Sequence, residues 1–572
     1  MRTAPSAIMP SPDALSLEEQ VAQMVVVRTS GHLFDHEIRY PAWEADRATL
    51  HHYIADLGVG GVILLGGSAA EVGLKTQELQ TLASVPLLIA ADIEEGVGQR
   101  FSGATWFPPP MALAEIAKRD LPQAEAYAEA MGAVTAEEAL AIGLNWVLAP
   151  VADVNNNPEN PVINVRAFGD TPEIVAALTT AFVRGAQRQG ALTTAKHFPG
   201  HGDTAVDSHL ELPILPHDSQ RLQQVELPPF QALIEAGVDT VMTAHLMIPA
   251  LDLQYPATLS DRTLTGLLRE KMGFTGLIVT DALVMGAIAR TYGPYEAAVL
   301  AVEAGADILL MPQDPEGCIK AVVEAVTTGR IPPERIAESV ERLWRAKQRV
   351  ASRLSVPPES CHAWEHIPPP PIQLDPFLRP ESQRLVADIL AHSMTVAGQV
   401  PSCDPQHPGD NLILVDSVVD CPFLNRTAPA IALPAQAHYQ LQLVDHQGCQ
   451  RWPQVDSLRP TLMQIFLRGN PFRGSATVSP LIQAWIEALL QAQYLNGLVI
   501  YGSPYALDYL KTHYLNSAAR PSADNAIPAS PDTPYGFSYG QMIAAQAGLL
   551  TPLGLGVPNA PGARPQISAF TD

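Results

Sequence analysis

The amino-acid sequence predicts an α/β protein: an N-terminal (β/α)8 TIM-like barrel followed by a smaller C-terminal α/β domain. Three observations carry this expectation. Eight short apolar runs recur between residues 21 and 312, several separated by alanine- and glutamate-rich helical stretches, the pattern of βαβ crossovers and a parallel sheet. Five successive runs, from the third to the seventh, end in ionisable residues, as they do where barrel strands converge on one catalytic face. A proline-rich stretch at 356–376 then breaks the alternation and favours extended chain over packed helix. The expected division is a barrel over 1–350, a linker over 351–376 and a smaller domain over 377–572. A doubly wound sheet is the structural alternative to the barrel.

Ser16, followed by Glu18 and Glu19, predicts a helix start, with Ser16 as cap and Glu19 at the third helical position. The strand candidates are 21–28 (its early part still helical), 59–67, 85–92, 144–154, 191–198, 238–249, 276–281 and 306–312. The helical stretches 123–143 and 171–190 each end at a glycine, which suits a helix C-terminus. A last helix starts near Pro333. GVGG at 58–61 precedes its strand, so it is not a nucleotide-binding fingerprint, which must follow one. The second domain opens with a helix over RPESQRLVADILAHSMTVAG and continues with strands at 411–417, 461–469 and 496–503; Pro521 to Tyr535 reads as loop. Its polar residues do not converge, and no chemistry is assigned to it.

Composition narrows the function classes. Hydrophobic residues make up 47% of the 572 and charged residues 16%, enough for large cores in more than one domain. The formal net charge of -24 argues against general binding to nucleic acid or anionic membrane. Five cysteines without ligand spacing fit a reducing compartment. No run is long enough for a secretory or membrane segment, so a cytoplasmic location is expected.

The chemistry concentrates in ALTTAKHFPGHGDTAVDSH, residues 191–209. An apolar run ends at Lys196, and His197, His201, His209, Asp203 and Asp207 follow among glycines. That is the make-up of a βα active-site loop. A metal reading from the histidines with Asp203 lacks an H-E-x-x-H pattern, and no metal or cofactor is expected. The other strand-end groups are Asp92, Asp153, His245 and Asp281. Any one of these aspartates could be a helix cap; capping explains five successive ends poorly.

KHFPGHGDTAVDSHLELP (196–213) resembles the signature of glycoside hydrolase family 3, in its β-N-acetylglucosaminidase branch. IVTDALVMGAI (278–288), APVADVNNNPENPVINVRAFGD (149–170), MTAHLMIPALD (242–252) and PATLSDRTLTGLLREKMGFTGLIVTD (256–281) also match, in order. The resemblance covers roughly residues 15–350 and is weak beyond. It implies a retaining, exo-acting enzyme that hydrolyses terminal β-linked N-acetylglucosamine from muropeptides or chitin-like oligosaccharides. Asp281 is then the nucleophile, forming a covalent glycosyl-enzyme. Asp207 and His209 form the general acid/base pair, where a histidine with its ordinary pKa near 6.5 can give and take a proton at neutral pH. Asp92, Arg100, Arg166, Lys196 and His197 become sugar-binding residues. Asp153 and His245 are binding or supporting residues, and Met285 lines the pocket or the core.

Two departures stand out. Where the family commonly has aspartate, any residue, glutamate, two glycines and an arginine, this chain has Asp92-Ile93-Glu94-Glu95-Gly96-Val97. Glu95 is expected to alter loop shape or charge around the sugar. Ala167 replaces a common serine after Arg166. The open alternatives are the β-glucosidase branch, which lacks the histidine-bearing loop; a phosphorylase, with phosphate in place of water; and a catalytically silent sugar-binding barrel.

Overall fold

In the computed structural model the described residues are 9–204, 212–351, 371–445, 451–454, 457–468, 478–515 and 533–556. Among them, contacts divide the chain into two units, one running to Ile389 and the other starting at Leu390. The division falls within the helix Pro380–Ser393.

The first unit is an eight-stranded parallel barrel. Each apolar run supplies one strand: β1 (Val25–Ser30), β2 (Gly61–Leu65), β3 (Leu88–Ala91), β4 (Trp146–Val147), β5 (Leu192–Phe198), β6 (Thr240–Thr243), β7 (Leu277–Val279) and β8 (Leu309–Leu310). Neighbours pair in chain order, β8 pairs β1, and a parallel bridge between Val279 and Ile308 joins the remaining edges. The strands read as nearly continuous apolar runs because helices cover one face while the other fills the barrel. β4 is short because Pro150 has no N–H for the ladder, although Thr194 N still bonds Ala149 O at 2.9 Å.

The interior is a packed plug. Val26, Ile63, Leu88, Ala90, Trp146, Leu192, Leu277, Val279 and Leu310 belong to one buried cluster. Trp146 donates its indole N–H to Thr194 Oγ1 at 2.9 Å and Thr240 Oγ1 at 3.1 Å. Side chains two residues apart share a face of a strand. Stepping from Val26 to Arg28, from Ala90 to Asp92, from Thr194 to Lys196 and from Val279 to Asp281 therefore leads from the apolar plug to a polar upper layer. The same alternation that fills the barrel raises the charged residues to its mouth.

Local signals set the helix ends. Ser16 and Glu19 form the expected reciprocal cap, with Ser16 N on Glu19 Oε2 at 2.7 Å and Glu19 N on Ser16 Oγ at 3.3 Å. The helix Pro172–Gln189 stops at Gly190, whose φ of 92° is open to glycine and costly for other residues.

Among the described residues of the second unit, six strands run in the order β11-β10-β12-β13-β14-β9. They are β9 (Thr395–Ala397), β10 (Gly409–Val415), β11 (Tyr439–Asp445), β12 (Thr461–Leu467), β13 (Leu495–Gly502) and β14 (Tyr535–Ser538). All pairs are parallel except β14 with β9. Two expectations are corrected here. The opening helix ends at Ser393, and Thr395–Ala397, expected to continue it, forms the edge strand β9, where β-branched Thr395 and Val396 fit a pleated surface. Tyr535, expected in loop, begins β14. No helix among the described residues is long and apolar enough to cross a membrane.

At the strand N-termini of the barrel, Lys347 is fully buried. Its Nζ donates to Gln23 Oε1 at 2.6 Å, and Gln23 donates to Gly58 O at 2.8 Å. Burial pushes the amine down to about 7. Between pH 7 and the unfolded value near 10.4, the unfolded chain holds a proton that the folded chain lacks, so stability must rise with pH. Unfolding free energies of the native protein and of Lys347→Met, measured by urea titration from pH 6 to 10, should diverge above pH 7. The native protein should gain relative to the variant with a slope approaching ~1.4 kcal/mol per pH unit; parallel curves would contradict a buried, neutralised lysine.

Candidate active site

The upper layer of the barrel holds a dense charge cluster. Lys196, at the end of β5 and 1% exposed, places Nζ 2.7 Å from Asp92 Oδ1 and 2.7 Å from Glu94 Oε1. Glu94, 2% exposed, also receives Arg166 through two parallel bonds, Nε to Oε2 at 2.9 Å and Nη2 to Oε1 at 2.8 Å. Arg166 donates a third to Val162 O at 3.1 Å. Arg100 Nε donates to Asp92 O at 2.9 Å.

Burial alone would neutralise these groups, yet here the partners outweigh it. Glu94 is driven up by desolvation but held well below the usual carboxylate range by Arg166 and Lys196. Lys196 is driven down by desolvation, and Asp92 and Glu94 raise it. Asp92 is lowered, against its own burial, by Lys196 and Arg100. All four members of the cluster stay charged at neutral pH. With Asp92 partly open at the mouth (35% of its side chain exposed), the cluster presents fixed donors and acceptors to hydroxyl groups.

Lys196 and His197 are consecutive but both belong to this layer. The β5–β6 register explains how: Ala195 pairs Val241 and Phe198 pairs Thr243, so three steps on β5 face two on β6. This bulge re-aims the strand end. His197 Nδ1 lies 2.8 Å from Asp153 Oδ2, and Asp153 Oδ1 accepts from His197 N at 3.2 Å and His201 N at 2.7 Å. Asp153 is fully buried and lowered, despite that burial, by His197 and His201. It therefore stands behind His197 and fixes that ring. His201 faces Thr204 Oγ1 at 2.7 Å and is pushed down by burial to about 4, neutral at physiological pH.

The nucleophile candidate sits just beyond β7. Ala282 N donates to Asp281 Oδ1 at 2.7 Å. Asp281 N donates to Thr243 Oγ1 at 3.4 Å; Thr243 and Thr258 hydroxyls are 2.8 Å apart; Thr258 Oγ1 is 2.8 Å from His245 Nδ1; and His245 Nε2 donates to Ala282 O at 3.1 Å. Nε2, facing a carbonyl, carries a proton, and Thr258 Oγ1 also donates to Ala244 O at 3.0 Å. The ring thus closes around the peptides on both sides of Asp281. His245 is fully buried beside Asp281 and bonded on both ring nitrogens. Met285, 6% exposed, caps the helix Gly286–Tyr292 after the nucleophile.

Asp92, Arg100, Arg166, Lys196, His197 and Asp281 come together at the barrel mouth, with Asp153 and His245 beneath. Asp207 and His209 lie outside the described residues. Sequence reading passed over Glu94, the residue that binds two cations; its i,i+2 spacing from Asp92 was the available signal. Thr243 and Thr258 left no signal, since isolated threonines carry no motif. Of the two effects expected of Glu95, its contacts fit the one on loop shape: it is fully buried, its Oε2 accepts from the Trp106 indole at 2.9 Å, and its N–H donates to Gln99 Oε1 at 3.0 Å.

Replacing Glu94 by glutamine should leave Arg166 and Lys196 without a shared carboxylate. The expected cost is ~3 kcal/mol in unfolding free energy by urea titration at pH 7; a loss below ~0.5 kcal/mol, the scale of a surface pair, would show that the cluster is not a buried electrostatic unit.

Comparison with known proteins places this geometry. The N terminal domain of glycosyl hydrolase family 3 matches residues 16–346, and the bacterial C-terminal domain of the same family matches 402–553. A beta-hexosaminidase A of Pseudoalteromonas piscicida is 35% identical over 332 residues, 53% of this chain and 55% of that protein; the chain thus spans about half the length of that relative. A beta-hexosaminidase of Nitrosomonas eutropha is 35% identical over 333 residues, 55% of this chain and 93% of that protein. The solved structure of a family 3 beta-N-acetylglucosaminidase from Paenibacillus sp. str. FPU-7 covers 94% of this chain and 96% of its own, with 31% identity and a TM-score of 0.72. The chain belongs to glycosyl hydrolase family 3.

Proposed function

We propose that this protein is a retaining, exo-acting β-N-acetylglucosaminidase that releases terminal β-linked N-acetylglucosamine from muropeptides or chitin-like oligosaccharides. The observation that carries the reading is the Asp92–Lys196–Glu94–Arg166 cluster facing Asp281 across one barrel mouth. The cluster grips the hydroxyls at the far end of the terminal sugar, and His197, held by Asp153, adds a ring-side contact. Asp281 attacks the anomeric carbon; the bond to the leaving oxygen breaks as that oxygen takes a proton from His209, assisted by Asp207. Water then attacks the same carbon, gives its proton to His209 and releases Asp281. The roles of Asp207 and His209 rest on their sequence motif. An acidic surface and scattered cysteines support a cytoplasmic setting, which fits cell-wall recycling. The relatives named beta-hexosaminidase support the choice of an N-acetylated sugar.

The test is turnover of a matched pair, aryl β-N-acetylglucosaminide and aryl β-glucoside, in phosphate-free buffer. The N-acetylated substrate should be favoured at least tenfold in kcat/KM, a gap of ~1.4 kcal/mol, and free sugar should be the product. Preference for the glucoside would overturn the reading, as would turnover only on adding phosphate, with sugar 1-phosphate formed. Asp281→Ala should lose roughly 10^4-fold or more in kcat while keeping its fold by circular dichroism. His245→Leu opens the ring of bonds around the nucleophile and should lower kcat roughly tenfold to hundredfold, the worth of one or two hydrogen bonds, with KM little changed. His245→Gln, which restores a donor near Ala282 O, should recover part of that loss; a rise in KM alone would make His245 a sugar contact instead.

A further inference from the structure

A cavity of about 420 Å3 opens where the C-terminal ends of β8 and β1 meet. This is a normal size for a small-molecule pocket. One wall is the segment just after Asp281: Val284 lines the cavity, and its N–H bonds Met311 O at 3.2 Å. In the closed ring of strands, β8 lies across the mouth from β4, while the hydroxyl-gripping residues sit at the ends of β3 and β5. C1 and C4 lie at opposite ends of a pyranose ring. A sugar held by its C4–C6 end at β3 and β5, with C1 at Asp281, sends its C1 substituent toward β8 and β1.

The opposite wall is the β1 loop, and it is built in advance. Ala45 N bonds Arg28 O at 3.0 Å, Thr29 Oγ1 bonds Ala45 O at 3.0 Å, and Tyr40 N bonds Glu44 Oε2 at 3.3 Å. Tyr40 and Trp43 stack at 5.8 Å, and the Arg28 guanidinium lies 5.4 Å from the first ring and 5.9 Å from the second. Arg28 pairs with buried Glu44 at 3.0 Å through Nη2. Among the described residues, the charged side chains lining the cavity are Arg28 against Asp35, Glu44 and Asp46: three carboxylates to one guanidinium, a net charge of -2.

We propose that this cavity is the leaving-group subsite and that it selects an uncharged, sugar-like aglycone over an acidic one. The inference rests on the proposed glycosidase reading and narrows it: chitin-like oligosaccharides fit, and aglycones carrying carboxylates, as muropeptides do, are repelled. Trp43 offers an apolar surface to a pyranose face, and the carboxylates exclude like charge. Glu44 already neutralises Arg28, so the guanidinium cannot rescue an acidic ligand.

The experiment uses the full chain and two nearly isosteric substrates, the 4-carbamoylphenyl and 4-carboxyphenyl β-N-acetylglucosaminides. The carbamoyl compound should be favoured about fivefold or more in kcat/KM at 20 mM salt, and this preference should shrink toward that of the variant below at 500 mM, where screening acts within a few ångströms. Asp46→Asn, which keeps a good helix cap, should cut the preference at least about twofold at low salt. Trp43→Ala should raise KM for both substrates several-fold. Equal or better use of the carboxylate, or a preference unmoved by both salt and Asp46→Asn, would overturn the proposal. If neither N-acetylglucosaminide is turned over but aryl glucosides are, the proposed function fails, and the same carbamoyl and carboxyl pair made as glucosides still decides the cavity.

Discussion

The constraint on which the site depends is the pairing of four charges, two of them almost wholly buried, at one end of an apolar plug. Lys196 and Glu94 are almost wholly removed from water, and a buried charge is tolerable only when paired and hydrogen-bonded. Each member meets that condition only through the others. Glu94 is shared by a lysine and a bidentate arginine, and Lys196 is shared by two carboxylates. Geometry follows from electrostatics: the side chains cannot drift apart without leaving an uncompensated charge. A cluster locked in this way is pre-organised for hydroxyl groups, because its donors and acceptors need no rearrangement when a sugar replaces water.

The barrel supplies the placement. Alternation along each strand lifts Asp92, Lys196 and Asp281 above the plug formed by Ala90, Leu192 and Val279, so residues distant in sequence arrive in one layer. Where alternation would send His197 to the wrong side, the β5 bulge corrects it. Beneath this layer the supports are neutral or fully paired. Asp153 holds His197 and His201, and the Thr243–Thr258–His245 chain encloses the peptides around Asp281. Functional side chains thus stand on strand ends, and their supports come from the neighbouring strand or loop.

Much of this was legible in the sequence. Strand positions were, because parallel strands buried on both faces leave continuous apolar runs, and the charged strand ends marked the face where they converge. What stayed hidden was partnership. Glu94 looked like one more polar residue of a turn, since nothing in a single sequence says that Arg166, 72 positions away, folds back onto it. The departure at Glu95 was visible, but its consequence was not: only the fold shows that Trp106 receives it inside the protein. Asp153 and His245 read equally well as contacts or supports, and nothing in the sequence hinted that both would be fully buried with hydrogen-bond partners on several sides. In the second unit β9 was missed because Thr395–Ala397 follows a strongly helical stretch, and three residues are too few to show a period of two.

The electrostatics also divide the chemical labour. A group that moves protons near neutral pH needs a pKa near that pH. Glu94 is held far below it and Lys196 above its ordinary value, so neither can exchange a proton during turnover. His201, pushed down to about 4 by burial, stays neutral and offers no acidic proton. The stronger the clamp, the less able it is to act as acid or base, and tighter grip on the sugar can only deepen that separation. Glu94, Lys196 and His201 are thereby removed from the groups able to move a proton at neutral pH. The proposed function gives that task instead to His209 with Asp207, on the strength of their sequence motif, and leaves the paired charges of the cluster undisturbed.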